Sequence, residues 1–155
     1  MPKTSRSAEE VAQVREHILS AAIGIIADKG FSRLSMRSLA SAIGMTAANI
    51  YNYYSSKDEL YLDIQTAGFQ ELYARFAGAR DREKTPLKKI AAIMKEYISY
   101  GTSNPDSYNI IFSMDTPKYA DYRDTQIEPV AYAEKKAGLD LIEITRPVVA
   151  ELLKK

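Results

Sequence analysis

The 155-residue sequence predicts an all-α fold, and three observations lead there. Apolar residues recur at spacings of three and four along most of the chain, and no run alternates apolar with polar residues as a half-buried strand does. Ser, Thr, Asn or Pro stands where most of the apolar stripes begin. Gly30 and Gly44 stand where the first two end. Hydrophobic residues make up 46% and charged residues 26%, the usage of a folding chain rather than a disordered one.

Val11, Val14, Ile18, Ala22 and Ile25 form one face of a first helix over residues 8–29, and Gly30 stops it. Ser35 caps a second, Met36 to Ile43, with Leu39, Ala40 and Ile43 inward. Thr46 caps a third, Ala47 to Tyr53, after an interval of only Gly44, Met45 and Thr46. Two short helices joined by a three-residue turn containing glycine make a helix-turn-helix.

In Ser56-Lys57-Asp58-Glu59 the serine accepts from the Glu59 amide while Glu59 reaches back, a capping box. It opens a long fourth helix to about Arg80, with Leu60, Ile64, Ala67 and Leu72 inward. Pro86 starts a fifth, whose stripe is Leu87, Ile90, Met94, Tyr97 and Ile98; Asn104 and Pro105 start a sixth bearing Tyr108, Ile111 and Phe112. Residues 115–129, polar and bracketed by Pro117 and Pro129, predict a partly ordered connection. Val130, Ala137, Leu141, Ile144, Val148 and Leu152 form the last stripe, which Pro147 is expected to kink or restart.

Chemistry is constrained by what is missing. With no cysteine, disulfides and Cys-based zinc sites are excluded, and a reducing cytoplasm is the expected compartment. The polar start MPKTSRSAEE has no signal-peptide core, and no apolar run approaches the roughly 18 residues of a spanning helix. His17, the single histidine, has no second ligand at metal spacing, so neither a metal nor a cofactor is expected. No phosphate-cradling glycine loop, HExxH or GxSxG occurs, which argues against an enzyme. The net charge of +1 hides an asymmetry. Residues 1–57 hold seven basic side chains (Lys3, Arg6, Arg15, Lys29, Arg33, Arg37, Lys57) against four acidic ones, whereas the remainder holds 14 against 16.

A helix that reads DNA presents small or hydrogen-bonding side chains to the major groove and packs its rear on the domain. The third helix divides that way. Ile50 and Tyr54, four apart, suit the rear, which leaves Ala47, Ala48, Asn49, Tyr51, Asn52 and Tyr53 toward the groove or its walls. Ala47 and Ala48 permit close approach and contact with thymine methyls, and Asn49 is the candidate base reader, since asparagine bonds adenine bidentately. Tyrosine hydroxyls and the Lys57 ammonium suit phosphates. Arg37 suits a phosphate or a guanine edge.

Residues 9–60 resemble the N-terminal DNA-binding domain of the tetracycline-repressor (TetR) family, through ILSAAIGIIADKGFSRLSMRSLASAIGMT and ANIYNYYSSKDEL. The resemblance implies DNA contacts from Arg37, Thr46, Ala47, Ala48, Asn49, Tyr51, Asn52, Tyr53 and Lys57. It implies a helix-turn-helix domain over residues 1–55, joined by the long fourth helix to an effector-binding and dimerisation domain over 56–155. It also implies an effector cavity, with Phe69, Tyr73, Met94, Tyr97, Tyr108 and Phe112 as candidate lining. The expected partners are a palindromic operator, a small-molecule effector and a second copy of the chain, with no membrane; the expected activity is ligand-responsive regulation of transcription, as a repressor. Three positions depart from the family pattern. Gly24 stands in mid-helix, Asn49 replaces a smaller residue, and the sequence stops at ELLKK, where family members continue into two further helices of the dimer interface. That ending supports an alternative, a truncated helical interaction protein that does not bind an operator on its own.

Overall fold

The computed structural model describes residues 7–114 and 116–154. Lys3 and Arg6 of the basic segment, Asp115 and the terminal Lys155 lie outside the described residues. The described chain is all-α: α1 (Ala8–Lys29), α2 (Met36–Ala42), α3 (Ala47–Ile50), α4 (Lys57–Arg82), α5 (Pro86–Ser103), α6 (Pro105–Phe112), α7 (Glu128–Glu143) and α8 (Arg146–Leu153). Single 3-10 turns lie at Phe31–Arg33 and Tyr119–Tyr122. The chain forms two compact units, Met1–Tyr61 and Leu62–Lys155, whose boundary falls inside α4.

The first unit is built on α1, α2 and α3. The fully buried line of α1 is Ile18, Ala22 and Ile26, and Ile25 is only half-buried. The line advances in steps of four, which carries it to Ile26 instead of Ile25. At the start of α2, Ser35 Oγ accepts from the Ser38 amide at 3.0 Å. Its inward residues are Met36, Leu39 and Ala40. The helix ends at Ala42, one residue short of expectation. Gly44 adopts φ +65°, and the Met45 amide returns to the Ala40 carbonyl at 2.9 Å, a Schellman-type closure that needs a residue tolerant of positive φ.

Two further expectations change. The α-helical part of α3 ends at Ile50, not Tyr53; beyond it the chain tightens to three-residue bonds, Asn52 to Asn49 at 3.2 Å and Tyr53 to Ile50 at 2.8 Å. Ser56 accepts from the Glu59 amide at 3.1 Å as expected, but the Glu59 carboxylate takes the Ser55 amide at 2.6 Å. The reciprocal half of that box therefore lies one residue earlier.

In the second unit Leu72, Phe76, Ile93, Tyr100, Ile111, Leu141 and Ile144 form one core cluster, and Leu62, Tyr122 and Ala131 another. The stripe expected on α5 is largely the wrong face. Ile93 and Tyr100 are buried, whereas Leu87 is 70% exposed and Met94 and Ile98 also face outward. Apolar residues occupy both the Ile93 and Tyr100 side and the Met94 and Ile98 side of α5, so periodicity alone does not choose the packed side; contact with α6 and α8 does. On α4, Ala67 is exposed and Gly68 takes the inward position, where a Cβ would collide with the Ile111 side chain.

Asn104 makes no side-chain cap at α6, where Pro105 supplies the first turn. Residues 116–129 are more ordered than expected, since Tyr122 is buried and Glu128 receives the Tyr119 hydroxyl at 2.9 Å and the Asp124 amide at 2.8 Å. Those two bonds hold the Glu128 carboxyl below its ordinary pKa. Pro147 restarts the chain as α8. No described helix is long and apolar enough to cross a membrane, and no group of three or more potential metal ligands occurs among the described residues.

The glycines give opposite expectations. A Cβ on Gly24 meets nothing within 4 Å. Gly24→Ala should therefore stabilise α1 by about 1 kcal/mol from helix propensity, raising the midpoint of a circular-dichroism melt. Gly68→Ala should lower it.

Candidate nucleic-acid interface

The third helix is held from behind. Ile50 is fully buried and Tyr54 is 1% exposed, so the rear face is fixed by packing. The carbonyls of α3 are met by the amides that follow it, Tyr51 to Ala47 at 3.1 Å and Tyr54 to Ile50 at 3.1 Å. Arg15 of α1 anchors the turn after the helix, donating from Nη1 to the Tyr53 carbonyl at 2.9 Å while its guanidinium lies 4.3 Å from the Tyr54 ring centroid. Sequence reasoning counted Arg15 only as a charge. Its position one residue after Val14 on the α1 stripe was the available signal.

The front of the helix is open. Thr46 caps it, its Oγ1 accepting from the Asn49 amide at 3.1 Å. Ala48 and Asn52 are exposed, Ala47, Asn49 and Tyr53 are half-buried, and Tyr51 is 54% exposed. Asn52 donates to Asn49 Oδ1 at 3.5 Å, a long bond between neighbours on this surface. Ser35, Met36, Arg37, Ala47 and Tyr51 line a shallow concavity of about 360 Å³ between the starts of α2 and α3. Arg37, Ala47 and Tyr51 are thus brought together, and the exposed Arg37 guanidinium has no ion pair among the described residues.

Lys57 is placed differently. It is half-buried, with its ammonium 4.2 Å from the Phe31 ring centroid and 3.4 Å from the Phe31 carbonyl. Phe31 in turn packs at 4.5 Å against Tyr61.

The comparisons with known proteins bear on this unit first. The model of the family described as bacterial regulatory proteins, tetR family, matches residues 18–64, which contain α2, the turn, α3 and the start of α4. Over those residues the chain carries a TetR-family DNA-binding domain. It is 26% identical over 103 residues to the nucleoid occlusion factor SlmA of Vibrio vulnificus, covering 66% of this chain and 50% of SlmA. It is 23% identical over 82 residues to the HTH-type transcriptional repressor KstR2 of Mycolicibacterium smegmatis, covering 53% of this chain and 40% of KstR2. A tetR-family regulatory protein from Rhodococcus RHA1 shares its fold at TM-score 0.73 and 17% identity, over 90% of this chain and 69% of that one. The chain spans about half the length of the curated relatives it matches. The family and the structural neighbours are regulators by description, not enzymes.

The second unit places the candidate pocket residues in three settings. Tyr97, Tyr108 and Phe112 pack ring against ring at 5.0–5.8 Å, and Phe69 joins them at 5.9 Å from Phe112. The Tyr97 and Tyr108 hydroxyls bond each other at 2.7 Å, which pushes the Tyr97 pKa up to about 12. Tyr73 borders two surface hollows, and Met94 faces outward. Of the six, only Phe69 lines the cavity of about 490 Å³ that also contains Gln65, Ile111, Thr116, Lys118, Tyr119 and Glu134. Sequence reasoning assigned none of the polar residues to a pocket, because they come from α4, the 116–120 segment and α7, far apart along the chain.

Truncating the rear of α3 should cost stability. Tyr54→Ala is expected to lose about 3–5 kcal/mol, the range for large aromatic truncations in a core, while Tyr51→Phe leaves the melting midpoint unchanged; paired urea or thermal melts check both.

Proposed function

We propose that this chain is a ligand-responsive transcription regulator, a repressor that binds a palindromic operator as a homodimer in the cytoplasm and releases it when a small molecule binds. The observation that carries this reading is the two-sided third helix. Its rear, Ile50 and Tyr54, is buried; its front exposes Ala48, Tyr51 and Asn52, and Ala47 and Tyr51 share a concavity with Arg37. Asn49, Ala47 and Ala48 read base edges, and Arg37, Tyr51, Asn52, Tyr53 and the Thr46 end of the helix hold the backbone on either side. Lys57 joins these contacts once its ammonium leaves the Phe31 ring.

Residues 1–55 form the reading domain and 56–155 the effector and dimerisation domain. A dimer sets two such helices in successive major grooves, about 34 Å apart, which calls for a palindrome. The effector favours a state in which that spacing no longer fits. The apolar side chains exposed on α7 and α8, Leu139, Ile142, Val149 and Leu153, support self-association. The same exposed residues also favour a second reading, an interaction protein that pairs through this face and does not hold an operator alone. Sedimentation of the chain with and without operator DNA separates the two, since a monomer with weak, non-cooperative binding supports the second.

Binding to its own upstream DNA, followed by fluorescence anisotropy at several salt concentrations, should show affinity falling steeply as salt rises. Arg37→Ala should lower affinity and, if Arg37 holds a phosphate, reduce the slope of log K against log salt by about 1. Asn49→Ala should cost about 1–3 kcal/mol on the preferred sequence and much less on random DNA. A flat salt response in the unmutated chain would overturn the proposed interface.

A further inference from the structure

The cavity walled by residues 116–120 has its own chemistry. Its volume of about 490 Å³ is within the range of small-ligand sites. Phe69 and Ile111 give it an apolar side, and the polar groups gather elsewhere. Gln65 and Thr116, 7% and 6% exposed, are the buried polar side chains among the described residues, and both line this space. No described residue hydrogen-bonds the Gln65 amide. The amide opens on the cavity instead, a place where a guest's polar atom fits.

Glu134, on α7, is half-buried in the same wall and has no ion pair among the described residues. Burial pushes its carboxyl pKa up, against the pull of the Lys118 charge. The two lysines of the site are solvated instead. Both are exposed, and the Lys135 ammonium lies 4.6 Å from the Tyr119 ring centroid. Of the groups that lack a partner, the Glu134 carboxylate when ionised only accepts, and the Gln65 amide oxygen and Thr116 hydroxyl can accept beside it. An ammonium group, with three N–H donors and a positive charge, matches that set.

We infer that this cavity binds a small amphipathic amine, its protonated amino group held by Glu134, Gln65 and Thr116 and its apolar body lying on Phe69 and Ile111. The inference rests on the reading of the second unit as an effector domain, and it names the class of effector.

Calorimetric titration of the full chain, without DNA, with 2-phenylethylamine, 2-phenylethanol and 3-phenylpropanoate holds the ring constant and changes the polar end. The amine is expected to bind at least tenfold more tightly than the alcohol, and the carboxylate least. Glu134→Gln, which keeps the size of the side chain, should abolish the preference for the amine while leaving the weak alcohol binding in place. Lys118→Ala should strengthen amine binding two- to threefold by removing a competing charge, and circular dichroism of both variants checks the fold. Equal binding of amine and alcohol, preference for the carboxylate, absence of heat from all three at millimolar concentration, or an unchanged Glu134→Gln would each overturn the inference. Operator binding measured without ligand is independent of these outcomes. An amine that binds but leaves DNA binding unchanged sinks the regulatory reading and not this one.

Discussion

The geometry of the first unit depends on how the turn after α3 is held. A four-residue helix has too little length to be stable alone, and its carbonyls are met by the amides of that turn. The Arg15 guanidinium anchors the turn from α1, donating to the Tyr53 carbonyl and covering the Tyr54 ring. With Tyr54 and Ile50 buried, the rotation of α3 about its axis is fixed, which leaves Ala48, Tyr51 and Asn52 exposed. The exposed front is thus a consequence of packing behind it.

That constraint also explains which features were legible in the sequence. Ser35, Thr46 and Ser56 were identifiable as caps because capping depends on residues three apart, a local relation that tertiary context leaves in place. The buried pair Ile50 and Tyr54 followed from helical spacing alone. The length of α3 did not, because its tightening after Ile50 accompanies a long-range bond from Arg15, 38 residues away. The Glu59 carboxylate reaches the Ser55 amide by the same logic: a flexible side chain chooses among adjacent donors, and only the backbone geometry decides.

In the second unit the sequence was least informative where apolar residues were most abundant. On α5 the outward Leu87, Met94 and Ile98 satisfy the same three-and-four spacing as the inward residues, so two faces compete on equal terms. The decision lies with the neighbours, and the close approach at Gly68 shows how they make it. The absence of a side chain there lets Ile111 of α6 sit directly against α4, which draws Tyr100 inward beside it and turns the Met94 side of α5 away. A glycine in mid-helix reads as a weakness in the sequence and works as a contact in the fold.

The same argument relocates the polar chemistry of the cavity. An aromatic-rich set suggests a pocket when its members are considered singly, but Tyr97, Tyr108 and Phe112 spend their faces and edges on each other. The two hydroxyls that would serve a ligand are engaged in a mutual bond of 2.7 Å, and the high pKa of Tyr97 reflects the cost of ionising within it. A cluster satisfied in this way is a wall. The polar groups that open on the cavity, Gln65 and Glu134, are spread over α4 and α7, 69 positions apart in sequence. No local pattern joins two such residues, so the site becomes visible only when both helices are in place.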